Sequence, residues 1–256
     1  MIDQRAVIDP GAELADGVSI GPYAVIGADV EIGAGTWIGP HTVINGPTRI
    51  GRDNRIFQFG SIGEAPQDKK YAGEPTRLEI GDRNTIREFV TINRGTIQDA
   101  GVTRLGDDNW IMAYVHIAHD CRIGNQTIFA NNASLAGHVR IDDFVLLGGF
   151  TLVHQFCAIG AHALTAFGSG ISKDVPPDVT VGGSPARAHG LNMEGLRRRG
   201  FSVDSRKVLK AAYRILYREN LPLQDAVLQL KQQAEAHREL ELLVSFLEQQ
   251  TRGIVR

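Results

Sequence analysis

Four histidines crowd one part of the chain: His116, His119, His138 and His154. Their spacing is regular. His119, Gly137 and Gln155 recur at intervals of 18 residues, and His138 falls one place beyond Gly137. His116 and His154 map to positions bordering the same register. An imidazole is a general base near neutral pH and also a common metal ligand. Asp120 directly follows His119 and can orient or polarise it. Gly137 offers a backbone N–H with no side chain in the way, which suits an oxyanion donor. Two chemistries fit this set. One is a histidine base beside an oxyanion donor, as in acyl transfer from a thioester to a hydroxyl. The other is a zinc held by histidines. Both require residues 18 apart in sequence to be neighbours in space.

A six-residue period supplies that proximity. Aliphatic residues recur at Ile2, Ile8, Leu14, Ile20, Ile26, Ile32, Ile38, Ile44, Ile50, Ile56 and Ile62, then in phase at Ile80, Ile86 and Ile92. The pattern returns shifted by one from Leu105 to Ile171, through Ile111, Ile117, Ile123, Phe129, Leu135 and Ile141. Nineteen of the 23 isoleucines sit on this grid. Two places before each grid residue there is usually a small side chain, such as Ala24, Val30, Thr36, Val115, Cys121 or Ala133. Period two inside period six describes a short strand with two inward residues, followed by a turn. Repeated, this is the hexapeptide signature of a parallel β-helix. Three hexapeptides make one triangular coil, and coils stack about 4.8 Å apart. His119, Gly137 and Gln155 then form one column, and His119, two places past Ile117, faces outward. Eleven grid residues are followed by glycine, which is expected to relieve the backbone where the chain bends.

The period fails in two places. Residues 63–79 (GEAPQDKKYAGEPTRLE) and 94–104 (RGTIQDAGVTR) are polar excursions from the solenoid, and excursions of this length are usually functional. From residue 190 glycine becomes scarce and helical spacing takes over, as at Val208, Leu209, Ala212, Ile215 and Leu216. Ser202 or Asp204 can cap that helix, and Pro222 separates it from the next. The expected architecture is therefore mostly β: a solenoid over 1–189 and a small bundle of about three short helices over 190–256. Arg197, Arg198 and Arg199 precede the bundle as a basic run, either a solvated face or an anion site.

Composition narrows the class. The chain has 256 residues, a net charge of -2, 7% aromatics and 29 glycines. The charge balance argues against nucleic-acid binding, and the absence of a long apolar run argues against a membrane span. Cys121 and Cys157 occupy small inward positions on the grid, so they read as packed core thiols. Two cysteines exclude a disulfide scaffold, and the N-terminus has no signal-peptide pattern. A reduced, cytoplasmic setting is expected.

The segments IGEAPQDKKYAGEPTRLEIGDRNTIRE, HIAHDCRIGN, ANNASLAGHV, VHQFCAIGAHA and NMEGLRRRGF closely resemble the acyl-carrier-protein–UDP-N-acetylglucosamine O-acyltransferases, which start lipid A biosynthesis. The resemblance spans essentially the whole chain. It implies a left-handed β-helix, a homotrimer with sites between subunits, acyl carrier protein and UDP-N-acetylglucosamine as partners, and neither cofactor nor metal. It assigns His119 as the base, Asp120 as its orienting partner and Gly137 as the oxyanion donor. Gln67, Asp68, His116, His138 and Gln155 match residues around the hexosamine, Lys70 a substrate-site lysine, and His154 a further site histidine. Asn192, Glu194, Arg198 and Arg199 match residues around the nucleotide, where guanidinium groups suit phosphate. Two positions depart from the pattern. Asn93 stands where many members carry histidine. Phe167 occupies the acyl-length ruler position, where some members have glycine, and is expected to shorten the acyl groove or to pack between subunits.

Overall fold

The computed structural model describes residues 1–250 and 252–256. Among them the chain winds through three sheets of nine, eight and ten short strands, parallel except at the last strand. It visits a first, a second and a third face in turn. Up to the last coil, each strand therefore pairs with the third one after it. On the first face His116 lies beside Ser134, and Ser134 beside Leu152. On the second, Arg122 pairs with Arg140 and Arg140 with Ala158. On the third, Trp110 pairs with Ile128 and Ile128 with Leu146. The register of 18 residues per coil holds wherever the period is unbroken. Grid residues point inward and are buried, as at Ile20, Ile38, Ile56, Ile86 and Ile111. Cys121 and Cys157 are free and buried, and burial pushes their thiols up to about 12 and about 11.

The corners are built differently from the expectation. Glycine directly after a grid residue does not generally supply the bend. Gly33 illustrates its use: a Cβ there would come within 2.6 Å of the backbone carbonyl carbon of Gly51 on the next coil. Glycine is needed for the close approach of stacked backbone. The left-handed turn sits two residues later and is mostly occupied by other residues, including Arg83 (φ 56°), Tyr114 (φ 65°), His138 (φ 62°) and Phe156 (φ 65°). Such conformations cost on the order of 1 kcal/mol or more for a residue with a side chain. Inter-coil hydrogen bonds at each turn offset that cost, as when His138 N–H donates to the His119 carbonyl at 3.0 Å. Because the turn residue is outward, rings collect on the corners. After the third face Tyr23, His41, Phe59, Phe89 and Tyr114 stack in one column, with centroids 4.8–5.4 Å apart.

Both excursions leave from the corner that follows the first face. Strands Ser61–Glu64 and Arg77–Ile80 flank one, and Thr91–Asn93 and Val102–Leu105 the other, so each is shorter than expected. The expected boundary at 189/190 falls within a strand. Strand Arg187–Leu191 runs antiparallel to Val179–Gly182 and carries the solenoid across it. Among the described residues four α-helices follow: α1 (Met193–Arg198), α2 (Val203–Arg218), α3 (Leu223–Ala234) and α4 (Glu241–Gln249). Ser202 caps α2, accepting from the Ser205 N–H at 2.9 Å, and Pro222 precedes α3. Leu209, Ala212, Ile215, Leu230, Leu243 and Leu247 close the bundle core.

Candidate active site

The corner after the first face carries the histidines. His119 lies over Gly137: a Cβ added there would stand 2.5 Å from Cε1 and 2.7 Å from Nε2 of the ring. The stacking of His119 on Gly137 inferred from the coil period is thus present, and glycine is what lets the imidazole settle. Gly137 is buried, and its N–H has no hydrogen-bond acceptor among the described residues. His119 Nδ1 and Asp120 Oδ2 are 2.8 Å apart. With Nδ1–H donating to the carboxylate, Nε2 carries the free lone pair.

Asp120 is buried, and the second excursion holds it. Thr96 donates its N–H to Oδ1 at 2.9 Å and its hydroxyl to Oδ2 at 2.6 Å. The Asp120 N–H in turn donates to the Thr103 hydroxyl at 2.8 Å. Burial pushes the carboxyl up, but the bonds from His119 and Thr96 outweigh it and hold Asp120 below the usual carboxylate range. His138 stands edge-on to His119 with centroids 5.1 Å apart, and its other face stacks on Phe156 at 4.5 Å. Its Nε2 is 3.8 Å from Asp120 Oδ2 and its Nδ1 is 3.5 Å from Asp99. His116 shares a 2.7 Å hydrogen bond with the Thr91 hydroxyl. Burial, and then the neighbouring His119, lower its pKa and favour the neutral ring.

Ligand atoms of His119, Asp120 and His138 lie within 4.8 Å of one another, so a cation site is geometrically conceivable. Three donor groups already occupy the two Asp120 oxygens. That arrangement orients an imidazole and leaves the carboxylate little capacity for a metal.

The other expected site residues divide into two groups. Gln67, Asp68 and Lys70 sit in the first excursion at this same corner; Gln67 and Lys70 are exposed, and Asp68 accepts from the Lys70 N–H at 3.0 Å. Asn93 secures that loop, donating to the Ala65 carbonyl at 3.1 Å, which gives it a structural use that needs no charge. His154 and Gln155 lie on the next turn of the same corner, exposed, and His154 Nδ1 is 3.2 Å from the Gln155 carbonyl. Asn192, Glu194, Arg198 and Arg199 are not on this corner. Asn192 caps α1, and Arg199 donates to the Phe144 carbonyl at 2.9 Å, on the corner after the second face. Glu194 pairs with Arg197 at 2.7 Å and Arg198 at 2.8 Å. Phe167 is on the remaining corner, 76% exposed and edge-on to Phe150. Sequence reasoning missed Thr96, Thr103, Thr91 and Asp99, which hold the histidine cluster from the excursion and the neighbouring strand.

Known proteins resemble this chain in sequence and in fold. Residues 174–255 match the model described as UDP-N-acetylglucosamine O-acyltransferase, domain 2, and residues 103–137 match the bacterial transferase hexapeptide model. An acyl-[acyl-carrier-protein]–UDP-N-acetylglucosamine O-acyltransferase of Thiobacillus denitrificans is 64% identical over 100% of this chain and 99% of its own. The protein of that name from Herminiimonas arsenicoxydans is 61% identical over the same shares. Among solved structures, the UDP-N-acetylglucosamine acyltransferase of Francisella novicida superposes with a TM-score of 0.98 at 43% identity, covering 100% of this chain and 94% of its own. The Arabidopsis enzyme gives 0.84 at 37% identity, covering 100% of both chains.

Proposed function

The chain belongs to the acyl-[acyl-carrier-protein]–UDP-N-acetylglucosamine O-acyltransferase family, and from that premise we propose that it esterifies the 3-hydroxyl of UDP-N-acetylglucosamine with a 3-hydroxyacyl group delivered as a carrier-protein thioester. This is the opening step of lipid A biosynthesis, in the cytoplasm. The observation that carries the mechanism is the 2.8 Å contact between His119 Nδ1 and Asp120, with Nε2 left free above Gly137. Nε2 accepts the proton of the sugar hydroxyl. The oxygen attacks the thioester carbonyl, and the Gly137 N–H receives the developing oxyanion. Collapse breaks the C–S bond, and the departing thiolate takes the proton back from His119. The thioester arrives activated, so the steps need no further cofactor.

His116 and His138 flank the base and line the hexosamine end, with Gln67, Asp68 and Lys70 above it in the loop. Asn192, Glu194, Arg198 and Arg199 take the nucleotide. They stand on a different corner from His119, so the complete site requires a second subunit to bring that corner across. The exposed aromatic column Tyr23–His41–Phe59–Phe89–Tyr114 supports packing of solenoids side by side, in keeping with a homotrimer. Phe167 is exposed at the edge of the first face and acts as the ruler for shorter acyl chains. A methylene in such a groove is worth about 1–3 kcal/mol, enough to select length.

One experiment addresses the reading. Purified protein is mixed with UDP-N-acetylglucosamine and a series of 3-hydroxyacyl carrier proteins, and ester product is measured. Shorter chains are expected to be preferred, and His119→Ala is expected to lower kcat by about 10²–10⁴. Equal use of long and short donors would end the ruler assignment. Near-normal turnover by the alanine variant would end the base assignment.

A further inference from the structure

The corner after the second face carries a column that the reaction just described does not use. Phe144 and His162 stack there in parallel, with centroids 4.8 Å apart and planes 4° apart. Asp178 takes the next place in the column: its N–H donates to the Ala161 carbonyl, as the His162 N–H does to Asp143 one coil earlier. All three turn residues are left-handed, with φ of 62°, 61° and 66°. His162 is 9% exposed and Asp178 5%. Both keep a buried polar atom without a hydrogen-bond partner, His162 Nδ1 and Asp178 Oδ1. Such orphans are costly and need a reason.

The column fastens both ends of α1. At its start, Asn192 donates its N–H to the Asp178 carbonyl at 2.7 Å and its side-chain amide to the His162 carbonyl at 2.9 Å. At its end, Arg199 donates to the Phe144 carbonyl at 2.9 Å and lies over the Phe144 ring, 5.1 Å from its centroid. Phe201, just beyond, meets His162 edge-on at 5.3 Å. The two residues placed at the nucleotide that are not fully exposed are thus both held by this one column.

We propose that His162 and Asp178 are positioning residues for nucleotide binding: His162 props the ring on which Arg199 lies, and Asp178 sets the charge that the Arg199 guanidinium presents to the diphosphate. This rests on the assignment of Arg199 to the nucleotide. The charged and titratable groups facing the pair are Arg199, from the end of α1, and Asp143, from the preceding turn. Burial raises the Asp178 carboxyl to about 7, with Arg199 pulling the other way. Burial and then Arg199 lower His162 to about 4, so its ring is neutral at working pH. As pH rises through neutrality Asp178 gains its negative charge, cancels part of the guanidinium field and weakens the hold on an anion.

The test is the dissociation constant of UDP-N-acetylglucosamine, measured by calorimetry from pH 6 to 8 without acyl donor. The sugar-linked diphosphate has no titration in that window. In the unsubstituted protein the constant is expected to rise several-fold with pH. In Asp178→Asn, which keeps the shape, the rise with pH is expected to be smaller and the constant at pH 8 to lie below the unsubstituted value. His162→Ala should weaken binding at every pH, and His162→Phe, which keeps the stacked ring, should restore it. An Asp178→Asn profile that follows the unsubstituted protein would overturn the role of Asp178, and equal binding by both His162 variants would overturn that of His162. Arg199→Ala separates the two levels. If it leaves binding unchanged, the nucleotide assignment falls and this inference with it. If it weakens binding while Asp178→Asn and His162→Ala do nothing, only the inference falls.

Discussion

Two corners of one solenoid carry a histidine and an aspartate, and they set the two aspartates to opposite states. After the first face, Asp120 receives two bonds from Thr96 and one from His119, and stays below the ordinary carboxylate range although it is buried. After the second face, Asp178 is nearly as buried, has an oxygen with no donor, and is raised to about 7. The backbone is the same at both, a left-handed turn repeated once per coil. Corner geometry therefore decides where a side chain stands, and the partners brought to the corner decide its charge. An excursion supplies Thr96 to Asp120, and the corner itself supplies His119. The helical domain brings Arg199 near Asp178, but no donor for its orphan oxygen.

The sharpest way to break the comparison is to take the acceptor from the first corner. In Asp120→Asn one oxygen replaces two, while the Thr96 N–H, the Thr96 hydroxyl and His119 Nδ1 all still seek acceptors. The tautomer of His119 is no longer fixed. We expect kcat to fall by about 10²–10⁴ with the solenoid intact by circular dichroism. Turnover close to that of the unsubstituted protein would make the pairing structural only.

The two corners also differ in how readable they were. The His119–Gly137 neighbourhood followed from counting by 18, because the aliphatic grid runs unbroken through that stretch. Thr96 and Thr103 could not be found that way. They belong to or border a segment that leaves the period, and threonine in a polar loop carries no signal of its partner. Phe144 and His162 are 18 apart and were within reach of the same arithmetic. Asp178 was not, because the last coil is shortened: Val175 pairs with Ile159 at 16 residues. Asn192 was legible only by resemblance and Arg199 only as part of a basic run, since the docking of α1 on the solenoid obeys no repeat. The corner glycines were misread for a plain reason. A residue that permits a bend and one that permits close stacking look alike in sequence, and only coordinates show which is needed.

At the second corner the expected signature is a stability slope. A carboxyl raised on folding binds more protons in the folded than in the unfolded state. Its neutral form costs folding little below the unfolded pKa near 4. A penalty then grows as pH rises and is complete above the folded value of about 7. The unsubstituted protein should lose on the order of a few kcal/mol between those limits from this group. In Asp178→Asn the fall should be shallower. Urea unfolding at several pH values measures it, and parallel slopes would show that Asp178 is not strained by burial.

The smallest expected effect converts the first corner part-way into the second. Thr96→Val removes the hydroxyl bond to Asp120 but leaves the backbone N–H and His119 in place. A buried carboxylate deprived of one donor should cost about 1–3 kcal/mol. Activity should fall less than in Asp120→Asn, since the imidazole keeps its acceptor. The sign of the pH effect is opposite to that at Asp178. A depressed carboxyl stabilises the fold above its unfolded pKa, and that stabilisation is lost as pH falls through the folded value. Valine moves the folded value up, so acid unfolding should begin at higher pH than in the unsubstituted protein. If stability drops at pH 7 while the acid limb stays where it was, the Thr96 hydroxyl is packing and not charge control. The contrast between the corners would then rest on His119 and the backbone N–H alone.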